Sequence, residues 1–304
     1  MITNQETGTR VDEVAAGIYR ICTPLDVIPG GFTFNSYLIT DEEPVLFHTG
    51  YKKLFPITLE AIGKIMPAAK LRWIGGSHFE GDEYGALNDL LAAAPDATPF
   101  SSEIGVLTSV NDFAARPARG FADGEEFSIG SRRMKWLYTP HVPHGWDCGI
   151  LFDLSTKTLL CGDLFTQPGA NMAPVTESEV LTASEGMRGM MDYYAHATGT
   201  SAILERLAGL RPSMLACQHG SAYRGDGAAL IRELATTIES GSASVSTLAR
   251  FVFPQLHARV RTFKVWVAVA EGLDCGHDLR PRCSRNSVHG SNLLASQIPP
   301  DAAE

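Results

Sequence analysis

The chain has 304 residues, 44% of them apolar and 19% charged, which is enough to bury its own core without cross-links. Its 25 Lys and Arg against 34 Asp and Glu leave a net charge of -9, which argues against a nucleic-acid backbone or an anionic membrane surface as partner. No apolar run reaches the roughly 18 residues of a membrane span, and the opening MITNQETGTR lacks the apolar core of a secretory signal, so the cytoplasm is the expected location.

In chain order, strand-like stretches fall at 12–22, 32–40 and 44–48, and a helical period follows at 54–67. A strand at 71–77 leads into helical patterns at 83–94 and 102–115. Strands at 132–139, 147–154 and 157–162 come next, then helices at 178–195 and 200–209, a strand at 213–217 and a helix at 224–241. Two groups of strands interleaved with helices predict an α/β fold of two packed sheets with helices outside, rather than one doubly wound sheet. Residues 1–242 read as one domain. Residues 243–274 read as a helical or mixed extension, and 275–304, poor in apolar anchors, as a disordered tail. Cys22, Cys148, Cys161, Cys217, Cys275 and Cys283 are scattered without a small-scaffold framework and read as reduced thiols. Cys275-Gly276-His277 with Cys283 fits no strong zinc template.

The residues that carry chemistry sit just past strand ends, where loops deliver side chains into a site. After the strand ending at Ser77 come His78, Glu80 and Asp82, an imidazole and two carboxylates at alternate positions that can converge on a metal from one turn. The strand through Thr139 runs into His141 and His144. The next apolar strand ends on Gly162-Asp163, a carboxylate that would cost several kcal/mol to bury without a metal or partner. A fourth ends on His219-Gly220. Four strand ends that each deliver a ligand-type residue point to a metal centre.

This series, with Asn35-Ser36-Tyr37-Leu38-Ile39 ahead of it and Asp147 three residues after His144, resembles the metallo-β-lactamase fold. Within that fold it is similar to the di-iron branch of oxygen-binding and flavodiiron proteins, over about residues 10–241. The resemblance implies an αββα four-layer sandwich and two iron ions. His78, Glu80 and His144 would hold one iron, Asp82 and His219 the other, and Asp163 would bridge them. Glu80 decides the branch: zinc hydrolases of this fold carry histidine there, and a third carboxylate makes a harder, more anionic site that suits iron.

Three positions depart from the pattern or compete within it. Glu83 stands where the family has histidine; it could ligate the second iron, leave that place to water, or favour the helix N-terminus that follows. His141 competes with His144 for one ligand slot; the spacing to Asp147 favours His144, with His141 as a hydrogen-bonding support. His48 replaces an aspartate before Thr49-Gly50 and reads as structural. The resemblance also places a tyrosine near the irons; of Tyr193 and Tyr194, about 100° apart on a helix, one at most can face the site, and Tyr194 is the candidate.

The resemblance implies binding of dioxygen or nitric oxide, by a sensor or carrier or by a reductase fed by an external flavoprotein or rubredoxin-like donor, in a homodimer. No phosphate-binding loop or second doubly wound segment follows, so no flavin domain is expected in this chain. The alternative is a metallo-hydrolase that uses a metal-bound hydroxide on an ester, thioester or lactam; an oxygenase acting on an organic substrate is a third reading.

Overall fold

The computed structural model describes residues 1–240. The extension at 243–274 and the tail at 275–304 lie outside the described residues, as do Cys275 and Cys283.

The first sheet holds β1 (Arg10–Ala15), β2 (Ile18–Leu25), β3 (Phe32–Ile39), β4 (Val45–Phe47), β5 (Trp73–Gly75), β6 (Thr98–Ser102) and β7 (Arg119–Phe121), side by side in chain order. β1 to β4 pair antiparallel; β4 to β7 pair parallel. The second sheet holds β8 (Glu126–Ser128), β9 (Arg133–Tyr138), β10 (Gly149–Asp153), β11 (Thr158–Leu160), β12 (Val175–Thr176), β13 (Met214–Ala216) and β14 (Ala222–Arg224), in the order β12-β14-β13-β11-β10-β9-β8. Eight α-helices complete the described chain: α1 (Phe55–Gly63), α2 (Gly81–Tyr84), α3 (Leu87–Ala93), α4 (Glu103–Gly105), α5 (Asn111–Phe113), α6 (Leu181–Met191), α7 (Thr200–Gly209) and α8 (Gly227–Glu239).

Side chains alternate along each strand, so each sheet has two faces to bury. Tyr37, Ile39, Val45 and Phe47 of the first sheet meet Trp136, Leu151, Leu160 and Met214 of the second in one core between the sheets. Leu38, Leu46 and Ile74 face the other way, against Ile62 of α1 and Leu87, Leu90 and Leu91 of α3. Ile150, Phe152, Leu159 and Leu215 likewise back onto Leu204 and Leu207 of α7 and Ile231 and Leu234 of α8. Each such fully buried side chain contributes roughly 1.5–3 kcal/mol. The αββα sandwich expected from the order of elements is the architecture found.

Several boundaries differ from expectation, each for a local reason. The stretch 12–22 is two strands, because Gly17 (φ 65°) turns the chain back and pairs Ala15 with Ile18. The helix expected at 83–94 breaks between α2 and α3, and that at 102–115 contains a π-helical turn at Val106–Val110. The helix expected to reach residue 195 stops at Met191, because Asp192 takes a left-handed conformation (φ 50°) at its C-cap. Strands β6, β7, β8, β12 and β14 escape the sequence pattern because they are two to five residues long and partly polar. The four described cysteines are unpaired and buried, and no helix among the described residues is long and apolar enough to cross a membrane.

Candidate metal centre

The four strand ends converge. His78 and Glu80 follow β5, His144 follows β9, and Asp163 follows β11; one potential ligand atom from each lies within 4.8 Å of the others. His78 Nε2 is 2.8 Å from Glu80 Oε2, and His144 Nε2 lies 3.3 Å from that oxygen and 3.2 Å from Asp163 Oδ2. The two imidazoles meet edge to face at 4.5 Å. The parallel pairing of β11 with β13 aligns Leu160 with Ala216, so Asp163 and His219 leave adjacent strands at matching positions. His219 Nε2 is accordingly 3.2 Å from the other carboxylate oxygen, Asp163 Oδ1, and 3.4 Å from Asp82 Oδ2. Asp163 thus divides its two oxygens between a His78, Glu80 and His144 group and an Asp82 and His219 group.

The rings are aimed from behind. His219 Nδ1 donates to the Thr33 carbonyl at 2.8 Å, and its face stacks on Phe32 at 4.4 Å, which leaves Nε2 toward Asp163. Strand β3 holds this loop across the sandwich. Asn35 Nδ2 donates to the Cys217 and Gly220 carbonyls, the Tyr37 hydroxyl donates to Cys217, and the Gly220 N–H donates to the Thr33 hydroxyl. Buried Arg20 on β2 adds a 2.7 Å bond to the Gly220 carbonyl. Asp147 is buried and accepts the Phe79 N–H at 2.9 Å, which ties the His144 loop to the His78 loop. Gly145 (φ 79°) permits that approach: a Cβ there would lie 3.1 Å from the His78 Cβ.

Charge follows the geometry. Hydrogen bonds to His144 and His78 hold Glu80 down at about 2. Burial opposes ionisation of Asp163, but the hydrogen bond to His219 and the surrounding imidazoles hold its carboxyl well below the usual range. Burial pulls His219 down, yet Asp163 and Asp82 outweigh it and raise the imidazole to about 10. Burial also lowers His78 and His144, but Glu83 and Glu80 raise the first well above its ordinary value, and Glu80 and Asp163 raise the second.

The remaining expected residues lie elsewhere. Glu83 sits in the first turn of α2, where the helix-end reading puts it, and its buried carboxylate bonds Ser77 and His78, a contact behind the His78 ring that the sequence did not suggest. The support assigned to His141 is not made: the residue is exposed at φ 64°, its backbone N–H donates to the Gly145 carbonyl, and no ring bond to the cluster is found. Tyr194 is corrected to Tyr193. The early end of α6 puts Tyr194 in the core under the second sheet, while Tyr193 lies edge-on to His144 and donates its hydroxyl to the Asp163 carbonyl at 3.3 Å. Sequence reading gave Asn35 no role at the site and missed Thr33 and Gln218, whose Nε2 donates to Asp82 at 3.2 Å. The signal for the first two was present: polar residues inside an otherwise apolar strand need buried partners.

Above the cluster lies a cavity of about 450 Å³. Its floor is Glu80, Asp82, His144, Asp163 and His219; its walls are Val27, Ile28, Phe32, Phe34, Tyr51, Met187, Met191 and Tyr193.

The model of the ODP family beta lactamases matches residues 32–220, more than half of the chain and every residue of the cluster. The chain belongs to this family. Among relatives of this ODP-family chain is the rubredoxin-oxygen oxidoreductase of Megalodesulfovibrio gigas, 28% identical over 207 residues that cover 65% of this chain and 50% of that protein. An anaerobic nitric oxide reductase flavorubredoxin homolog of Escherichia coli is 28% identical over 141 residues, 45% of this chain and 34% of its own length. The flavodiiron protein of Giardia intestinalis superposes with a TM-score of 0.65 at 19% identity, over 76% of this chain and 60% of that one, a likeness of fold. The chain therefore spans half or less of the curated relatives it matches.

Proposed function

We propose that this ODP-family chain binds two iron ions and uses them to bind dioxygen or nitric oxide, reducing it with electrons from a separate donor or reporting its presence. The observation that carries the reading is Asp163, whose two oxygens face two different groups of ligand atoms. Asp163 Oδ1 is buried and lacks a well-formed hydrogen bond, as does His144 Nδ1. A buried carboxylate oxygen needs a positive partner; in the metal-free protein the His219 ring 3.2 Å away supplies it, and a metal ion held between the two would take that place. The donor set of three carboxylates and three imidazoles fits iron better than an imidazole-rich set would. His78, Glu80 and His144 would hold one ion, Asp82 and His219 the second, and Asp163 both. Bound there, the irons would supply redox electrons and open positions for a diatomic ligand.

The chain's own residues do the rest. The Thr33 carbonyl and the Glu83 carboxylate fix His219 and His78 with Nε2 toward the floor of the cavity. Phe32, Phe34, Met187 and Met191 make the wall apolar, which admits a small uncharged ligand and limits water beside the floor. Tyr193 keeps its hydroxyl on the Asp163 carbonyl and presents the ring to His144. The relatives, a rubredoxin-oxygen oxidoreductase and a nitric oxide reductase homolog, support the ligand class, and the first supports a rubredoxin-like donor. Nothing in the cluster favours the hydrolase alternative, since Glu80 occupies the place of an imidazole.

Metal analysis with an optical spectrum tests the reading. Two irons per chain, with a ferric absorption that bleaches on anaerobic reduction and returns with air, are expected. Two zincs in a colourless protein would refute it.

A further inference from the structure

We propose that Glu83 is a positioning residue for His78, a buried carboxylate that clasps the ring at Nδ1 and so presents Nε2 to Glu80 and the cluster. The proposal rests on the reading of the cluster as a metal centre. Glu83 follows Asp82 directly on α2, yet the two side chains part: Asp82 lines the cavity, while Glu83 is wholly buried. Both its oxygens are engaged. Oε2 accepts the His78 backbone N–H at 2.8 Å; Oε1 accepts the Ser77 hydroxyl at 2.5 Å and lies 3.0 Å from His78 Nδ1.

A second imidazole stands by the same oxygen. His48, just past β4, is buried, neither of its ring nitrogens has a hydrogen bond, and its Nε2 is 3.6 Å from Glu83 Oε1. One carboxylate thus stands between two buried rings, and only the His78 ring belongs to the cluster. The backbone is shaped to admit it. A Cβ at Gly76 would lie 2.8 Å from Glu83 Oε2 and 3.2 Å from its Cβ, so only glycine leaves the carboxylate its place. A carboxylate on one imidazole nitrogen keeps the proton there, orients the ring and strengthens the other nitrogen as a donor to metal. Sequence alone left Glu83 open between ligand and helix end; the position that breaks the family pattern here becomes a support for the ligand five residues before it.

The test compares Glu83→Ala and Glu83→Gln with the parent in the full chain, with ferrous iron alone as the probe under anaerobic conditions. Competition with a chelator should show ferrous affinity lowered about 10- to 100-fold in Glu83→Ala and less in Glu83→Gln, whose amide oxygen still accepts one bond. In metal-free parent protein the His78 Nδ1 proton should give a low-field NMR resonance protected from exchange, and Glu83→Ala should lose it. Should Glu83→Ala fail to fold, the folded Glu83→Gln protein decides by its affinity. Parent-like ferrous affinity in a folded variant, or persistence of the protected resonance in Glu83→Ala, overturns the proposal. A parent that shows the resonance but takes up no iron would support the Glu83 contact and remove the metal-centre reading instead.

Discussion

Loading the metal-free protein with ferrous iron at pH 7.5 should release at least one proton per chain, because His219, raised to about 10, must give up the one on Nε2, and His78 and His144, both raised above their ordinary range, add to the release. The release comes from the geometry: Nε2 of His78, His144 and His219 all face carboxylate oxygens at 2.8 to 3.4 Å. Those neighbours raise His219 and His144 above their ordinary range, and Glu83 together with Glu80 raises His78, each against its own desolvation. For His219, raised to about 10, losing the proton at pH 7.5 costs about 3 kcal/mol, at 1.36 kcal/mol for each unit. Each proton coupled to binding should change the apparent binding free energy by about 1.4 kcal/mol per unit of pH, tenfold in affinity. Binding strengthens as pH rises, until the rings deprotonate on their own. Calorimetry in buffers of different ionisation enthalpy gives the proton number directly. Release of fewer than one proton per chain, or an affinity flat between pH 6.5 and 7.5, would refute the charge assignment of the cluster.

Three further outcomes follow from the same structure. In metal-free protein, His219 sits at about 10 against an ordinary 6.5, so its contribution is complete below 6.5 and is lost as pH rises toward 10. Glu80, at about 2 against 4.5, contributes above 4.5 and loses that contribution as pH falls toward 2. The melting temperature should therefore peak between these ranges, and a steady rise from pH 6.5 to 9.5 would contradict the His219 assignment. Asn35→Ala leaves the Gly220 carbonyl with Arg20 alone and the Cys217 carbonyl with Tyr37 alone; a loss of about 1–3 kcal/mol in urea unfolding is expected, together with weaker metal binding as the His219 loop loosens. Glu80→His should move the metal content of the isolated protein from iron toward zinc, and unchanged iron loading would contradict the role given to that carboxylate.

The ligand residues were legible because each stands immediately past an apolar strand, where a charged or imidazole side chain has no packing reason to be. The two-sheet architecture was legible from the two groups of strands. Glu83 was not, since its meaning depends on a Ser77 hydroxyl, a His78 ring and a His48 ring brought together only by the fold. Tyr193 was passed over for its neighbour Tyr194 through one backbone angle: helical spacing carried the pattern past Asp192, whose left-handed conformation no periodicity announces. The short strands β6 to β8 were hidden because three to five residues carry too little alternation to be seen.

The protons of the cluster also account for how the chain folds around six ionisable side chains before a metal arrives. With the rings protonated, the three carboxylates and three imidazoles of the cluster sum to no net charge and Glu83 behind His78 adds one negative charge, so the metal-free arrangement buries paired groups rather than isolated ions. Stripped of those protons without a metal, the same six residues would carry three negative charges at one end of the sandwich, a state that burial opposes. Two divalent ions in place of the protons would bring the floor to a net charge of one positive, and two trivalent ions to three. The oxidised state is thus the one that needs the full complement of carboxylates. Glu80→His removes one of the three, so it weakens the site most for an ion that reaches the trivalent state and least for one fixed at two charges. That difference, rather than any change in size, is why the substitution should favour zinc.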